Sequence, residues 1–250
     1  MLATSCFGDV KNHALIFFHG FLGCKEDWYD VIDLLKNHYF CLCIDLPGHG
    51  QSPYSVSLDN EILSIFSSFS LIKPSAVGYS MGGRILKQLQ KQHPRLFHSL
   101  YFLSSHPGID SEEKKLKRSH EELNWIKKIE TFPIDVWINE WYNQSIFDSL
   151  RQKTDLFLRL KSQRLQQNKD GLLFSYKQYL LSQQPQYTNF DCPATFFFGE
   201  YDKKYEELYL KKNWNVRIEK ISQSGHCIHI ENPDECAQKI HEYMQLETLL

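Results

Sequence analysis

Three polar residues far apart in the chain could together make one reactive oxygen: Ser80, Asp202 and His226. A serine hydroxyl is a poor base and a poor nucleophile until a neighbour takes its proton. A histidine can take it, and a carboxylate can hold the histidine. Ser80 lies in Gly78-Tyr79-Ser80-Met81-Gly82, behind the short apolar run Ser75-Ala76-Val77 and ahead of the helical pattern Ile85-Leu86-Lys87-Gln88-Leu89. A serine between two glycines at a strand-to-helix turn reads as a nucleophile elbow, where flanking side chains would not fit. The N–H of Met81, the next residue, then points to where an oxyanion would form. His19-Gly20-Phe21-Leu22-Gly23, a glycine-bearing loop after an early strand, offers a second donor in the N–H of Phe21. Asp202 follows one buried strand and His226 the next, so both reach the sheet edge that carries Ser80. The order Ser, Asp, His along the chain is the one that accompanies such an elbow. Glu200 is the rival acid. His229 is the rival base, expected to point elsewhere. Asp45 precedes the serine, the wrong order for the acid, and His49 reads as a structural loop histidine.

The elements that must position these residues are legible as alternating strands and helices. Continuous apolar runs at 14–18, 40–44, 100–103 and 194–198 have the composition of strands buried on both faces. Helical patterns follow them: 28–36, capped by Asp27, then 58–69, the elbow helix to about 92, 204–212, and a last helix from Pro233 to about 246. A further strand is expected at 216–221. This alternation implies an α/β fold with a mostly parallel sheet, flanked by helices and joined by right-handed crossovers. Between 111 and 182 no convincing strand occurs. Charged helical patterns at 112–130, 135–142, 154–166 and 171–181 suggest an inserted helical cap, 105–185, on a core made of 1–104 and 186–250. Such a cap covers the sheet edge where ligands bind.

Composition excludes several classes. The 250 residues carry 28 Lys and Arg against 30 Asp and Glu, a net charge of -2, which gives no reason to expect nucleic acid or an anionic membrane as a partner. No apolar run approaches the roughly 18 residues that span a bilayer. The first residues lack the basic-then-apolar build of a secretory signal. Seven cysteines form no CxxC pair and no zinc pattern. Cys41 and Cys43 read as core fillers in a strand, and a reducing, cytoplasmic setting is the simplest expectation. Arg84 is an unusual cation. It stands in the first turn of the elbow helix, where the helix dipole favours anions, a placement suited to an anionic ligand.

Taken together, His19 to Gly23, residues 45–52, Gly78 to Arg84, His106-Pro107-Gly108 and Gly225-His226 resemble the α/β-hydrolase superfamily. Within it, Tyr79 before the serine, Arg84 after the second glycine, the His-Pro-Gly segment, Arg118-Ser119, Glu140-Trp141-Tyr142, Phe147-Asp148-Ser149-Leu150 and Gln163-Arg164-Leu165-Gln166 are similar to the MenH family. These are the 2-succinyl-6-hydroxy-2,4-cyclohexadiene-1-carboxylate synthases of menaquinone biosynthesis. The resemblance implies a lyase that eliminates pyruvate, with Ser80, Asp202 and His226 catalytic and Phe21 and Met81 as oxyanion donors. It implies that Arg84, Arg118 and Arg164 bind the carboxylates of a small polycarboxylate substrate, with Tyr79 and Trp141 in contact with it. Arg159 is the rival of Arg164. No metal or organic cofactor is implied. The alternatives are a carboxylesterase or thioesterase-like hydrolase using the same residues, and a non-catalytic binding protein on the same fold. Oligomeric state is left open.

Overall fold

The computed structural model describes residues 1–54, 57–187, 189–211, 214 and 216–247. Seven strands form one sheet: β1 (Thr4–Phe7), β2 (Ala14–Phe18), β3 (Phe40–Ile44), β4 (Ser75–Tyr79), β5 (Leu100–Leu103), β6 (Ala194–Gly199) and β7 (Arg217–Ile221), in the order β1-β3-β2-β4-β5-β6-β7. All neighbours run parallel except β1, which pairs antiparallel with β3. Every residue of β2 to β6 is buried, which is why those strands read as unbroken apolar runs. β1 is unforeseen by the sequence. It is a short, half-exposed edge strand, Thr-Ser-Cys-Phe, with no apolar run to announce it.

Helices cover both faces. α1 (Tyr29–Leu35) and α11 (Pro233–Glu247) pack on one, and α2 (Leu58–Ser68), α3 (Met81–Gln92) and α9 (Lys203–Leu210) on the other. Alternate strand residues separate accordingly. Leu15, Phe17, Cys41, Cys43, Val77 and Phe197 enter the first core, while Ile16, Phe18, Leu42, Ala76 and Phe196 enter the second. Between β5 and β6 the chain is helical: α4 (Glu112–Thr131), α5 (Ile134–Tyr142), α6 (Asp148–Gln152), α7 (Thr154–Arg164) and α8 (Lys169–Gln178). A four-residue helix, α10 (Ile228–Glu231), precedes α11.

Some boundaries differ from the sequence reading. Asp27 does not cap α1. It sits inside a 3-10 turn, Lys25–Trp28, and its Oδ2 accepts the N–H of Cys24 at 3.3 Å. The helix expected at 171–181 starts earlier, at Lys169, because Asn168 caps it through the N–H of Gly171. The expected helix end at Lys212 lies outside the described residues, as do residues 248–250 of the expected second core segment. The seven cysteines are free thiols. Among the described residues no cluster of His, Cys, Asp or Glu could hold a metal ion, and no helix is long and apolar enough to cross a membrane.

The strand order reverses at β2, which has β3 on one side and β4 on the other. Ligands of such sheets bind beyond the carboxyl ends of the strands at that point. The Phe21 loop leaves β2 there, and Ser80 leaves β4.

Candidate active site

Ser80 takes φ 48° and ψ -106°, a backbone conformation rare for a residue with a Cβ. Strain of this kind costs about 1–3 kcal/mol and persists only where the surroundings impose it. Here they do. The N–H of Ser80 donates to the Leu103 carbonyl at 2.9 Å, and its own carbonyl accepts from the Arg84 N–H at 3.2 Å and from Ser105 Oγ at 3.0 Å. The flanking glycines are required by contact. A Cβ on Gly78 would lie 2.5 Å from Gly83 Cα, and one on Gly82 would lie 2.2 Å from the Phe18 carbonyl oxygen. The elbow therefore presses α3 against the end of β2, which brings Ser80 beside the Phe21 loop. That loop is pinned in turn. Leu46 donates its N–H to His19 Nε2 at 2.9 Å, and Leu22 donates its N–H to His49 Nε2 at 3.2 Å. His49 is thus the structural loop histidine that the sequence suggested.

Asp202 and His226 meet at the same edge. His226 Nδ1 lies 2.8 Å from Asp202 Oδ2, and both side chains are buried. Asp202 does two jobs, because its Oδ1 also caps α9 by accepting the N–H of Tyr205 at 3.2 Å. The rings of Tyr79 and Tyr205 pack on His226 with centroids 5.4 and 5.0 Å away. Glu231 supports the histidine loop, a role that no sequence motif announces. Its carboxylate accepts the N–H groups of Gly225 (3.0 Å) and Cys227 (3.2 Å), on either side of His226, and the hydroxyl of Ser149 from α6. Its only signal was a carboxylate five residues beyond the histidine.

The rivals stand elsewhere or lack partners. Glu200 accepts the N–H of Gln223 at 2.9 Å in a surface turn. Asp45 is consumed by the N–H and Nζ of Lys25 and the N–H of Gln51. His229 corrects an expectation, since it does not point away but lines the same cavity as Ser80. Burial between the rings of Trp28 and Tyr79, 4.4 and 4.3 Å away, brings its pKa down to about 3 and keeps it neutral. Among the described residues neither of its ring nitrogens has a hydrogen-bond partner.

The cavity over Ser80 is about 210 Å³ and is lined by Phe21, Tyr79, Ser80, His226, Trp141 and the three arginines Arg84, Arg118 and Arg164. Asp202 lies behind His226. The side chain of Met81 is buried in the core below, so its N–H, not its side chain, is what the elbow offers. Arg84 Nη1 donates to the Tyr179 carbonyl (2.6 Å) and to Gln184 Oε1 (3.2 Å), both neutral, and burial with Arg118 nearby lowers its pKa to about 10. The other two arginines have carboxylates of the protein's own. Arg118 Nε reaches Glu122 at 3.1 Å, and Arg164 Nη2 reaches Asp27 at 2.6 Å. Arg159, the alternative to Arg164, is on the surface beside Asp30. His106 and Lys204 also line the cavity and were not foreseen. His106 Nδ1 accepts the N–H of Gly108 at 3.1 Å, and burial together with Lys87 and Arg84 holds this imidazole well below its usual pKa.

A strained serine on a strand-to-helix elbow, a buried Asp–His pair whose histidine lines the same cavity and a parallel sheet below define a class. The α/β-hydrolase fold family matches residues 13–233, and the chain belongs to that family. Within it the chain is similar to the 2-succinyl-6-hydroxy-2,4-cyclohexadiene-1-carboxylate synthase of Enterobacter sp. (strain 638), with 30% identity over 93% of this chain and 92% of that one. The synthase of the same name from Escherichia coli O1:K1 / APEC is 29% identical over 88% of each chain. MenH from S. aureus superposes with a TM-score of 0.90 at 26% identity, covering 98% of both chains. An esterase from Exiguobacterium antarcticum, at 14% identity and a TM-score of 0.81 over 98% of this chain and 95% of its own, shares the fold.

Proposed function

We propose that this chain is a lyase of menaquinone biosynthesis. It eliminates pyruvate from 2-succinyl-5-enolpyruvyl-6-hydroxy-3-cyclohexene-1-carboxylate to give 2-succinyl-6-hydroxy-2,4-cyclohexadiene-1-carboxylate. The observation that carries the reading is one cavity holding Ser80, His226 and three guanidinium groups. A simple ester needs no such wall of cations, whereas this substrate has three carboxylates. The similarity to the synthases points the same way.

In this reading Asp202 holds His226 through Nδ1, which leaves Nε2 to take the proton of Ser80. The Ser80 oxygen removes the ring proton next to the succinyl ketone. Electron density moves onto the ketone oxygen, where the N–H groups of Phe21 and Met81 receive it. The enolate then returns its electrons through the ring and expels enolpyruvate, which takes a proton and becomes pyruvate. No oxidant or reductant enters this balance. Arg84, Arg118 and Arg164 bind carboxylates, with Tyr79 and Trp141 against the ring. A guanidinium has five N–H donors, so Arg118 and Arg164 can serve the substrate while keeping their internal partners. The helical segment 105–185 acts as a cap. Its α4 is clamped by Glu122, which accepts the N–H groups of Leu181 (2.7 Å) and Ser182 (3.2 Å) as well as Arg118. Its Gln167 ties it to the Gly23 carbonyl and the Gly50 N–H.

The test is to generate the enolpyruvyl substrate in situ, add the protein and follow pyruvate, with an aryl butyrate assayed in parallel. Fast pyruvate release with slow ester turnover is the expected result. Efficient ester hydrolysis with no pyruvate would replace the lyase by a carboxylesterase and leave the Ser80–His226–Asp202 assignment intact.

A further inference from the structure

Lys87 is an anomaly. It lies about two helical turns beyond Ser80 on α3, is 2% exposed, and has neutral hydrogen-bond partners. Taking an ammonium group out of water without a counter-ion is costly, and apolar replacement of buried charges is often neutral or stabilising. Its surroundings show what the group does. Nζ donates to Ser105 Oγ at 3.2 Å and to the His106 carbonyl at 2.6 Å, and it sits 5.0 and 5.3 Å from the ring centroids of Phe102 and Phe196. Ser105 Oγ in turn donates to the carbonyl of Ser80 at 3.0 Å. The same Ser105 carries a backbone carbonyl that accepts from Tyr209 OH at 2.8 Å, so its place after β5 is fixed from a second side.

We infer that Lys87 is a positioning residue for the nucleophile. Its ammonium orients the Ser105 hydroxyl so that its one proton goes to the Ser80 carbonyl, and this braces the strained elbow from behind. Burial and the nearby Arg84 pull the Lys87 pKa well below its ordinary value. Held as an ammonium, Lys87 can only donate, so Ser105 Oγ accepts from it and the hydroxyl hydrogen is left for Ser80. Removing the donor frees that hydroxyl to rotate. Ser80 then keeps its backbone bonds to Leu103 and Arg84, but its carbonyl loses the bond from Ser105 Oγ. The same ammonium fixes the carbonyl of His106, whose ring lines the cavity, so elbow and cavity wall share one anchor. This inference rests on the reading of Ser80 as an activated hydroxyl, not on which substrate it acts upon.

The test therefore uses a probe that needs no substrate. A fluorophosphonate labels activated serines: the Ser80 oxygen bonds to phosphorus, the P–F bond breaks, fluoride leaves, and the serine proton passes to His226. The variants are Lys87→Met, which keeps the stem against Phe102 and Phe196, Ser105→Ala, and the double variant. The maximal labelling rate of Lys87→Met should fall about tenfold, the scale of a small misplacement of a reacting group, while the half-saturating probe concentration stays unchanged. Ser105→Ala should show the same loss, and the double variant should lose no more than either single one. The thermal midpoint of Lys87→Met should be equal to that of the parent or higher. Labelling at the parental rate in Lys87→Met, or in Ser105→Ala should Lys87→Met not fold, overturns the assignment. So does a lowered thermal midpoint with unchanged labelling, which would make Lys87 structural only. A parent chain that does not label at all would overturn the activated serine and this assignment with it. Labelling that behaves as expected in a protein that releases no pyruvate would leave the brace standing and remove the lyase.

Discussion

Two regions converge on the cavity, and they hold their polar residues in different ways. The core loops fix Ser80, Asp202 and His226 mainly through backbone N–H and carbonyl groups at the strand ends. Ser80 is held by the Leu103 carbonyl, by Ser105 Oγ and by the turn it starts, Asp202 caps the helix that follows it, and the His226 loop hangs on Glu231. The arginines reach the same space from distant elements, and two of them lean on carboxylates that the fold supplies. The reacting group is thus held by backbone hydrogen bonds at the strand ends, whereas two of the wall's guanidinium groups are fastened by ion pairs to side-chain carboxylates. Arg84 stands between the two kinds. It belongs to the elbow helix, yet its guanidinium is held by neutral oxygens contributed by residues 179 and 184, beyond α8.

This contrast can be broken at several points. The largest effect belongs to the serine: Ser80→Ala should cut pyruvate release by roughly three or more orders of magnitude with an unchanged circular-dichroism spectrum and thermal midpoint. More than a tenth of parental turnover in that variant would sink Ser80 as the reacting group. Arg84→Ala should slow elimination by about 30- to 1000-fold, the scale of stranding a desolvated carboxylate at about 2–4 kcal/mol. It should hardly touch hydrolysis of a neutral aryl butyrate, and a parallel fall in both reactions would make Arg84 part of the elbow, not of the binding wall.

Arg164 should behave differently, because its removal strands the buried carboxylate of Asp27. Arg164→Met should lower folding stability by about 3–5 kcal/mol. Pairing it with Asp27→Leu should restore most of the stability and none of the elimination. Urea melts of the single and double variants decide this, and an unaltered midpoint in the single variant would show that the pair is not structural. Acid should expose the buried histidines next. His19 and His229 are held near pKa 3 by burial, against an ordinary value of about 6.5. Between these values the unfolded chain binds protons that the folded chain refuses, so stability rises with pH across the window and is lost as pH falls from about 6.5 towards 3. Each such histidine contributes a slope of about 1.4 kcal/mol per pH unit. His229→Phe should reduce the measured slope by one proton, and an unchanged slope would mean that His229 is protonated in the folded state. The smallest effect is expected at Glu200, where Glu200→Gln should alter elimination less than about twofold, since a surface hydrogen bond is all it loses.

The legible part of the protein is the part whose contacts are local or periodic. Strands buried on both faces must be apolar throughout, so β2, β3, β5 and β6 could be read directly. The glycines around Ser80 could be read because no other residue fits the turn. β1 could not, since an edge strand needs no apolar run. Nor could the 3-10 turn that displaces Asp27 from its expected capping role, nor the ion pair that Asp27 there makes with Arg164, a residue 137 positions away.

For the site, residue types and chain order alone singled out Ser80, Asp202 and His226, because an elbow and two strand-end loops of one parallel sheet must open on the same edge. Sequence offered Glu200, two residues before Asp202 after the same strand, as the rival acid, and the structure shows why the two part. The chain bends at Gly199 so that Asp202 folds inward to cap α9 and meet His226, while Glu200 turns out to the Gln223 N–H. Nor could it show that His229 shares the cavity, that Glu231 supports the histidine loop, or that Lys87 is buried behind the serine on neutral partners. Those facts depend on how helices pack on the sheet. Packing brings together side chains that chain separation and residue type leave unrelated, and only there does burial decide which polar groups find partners.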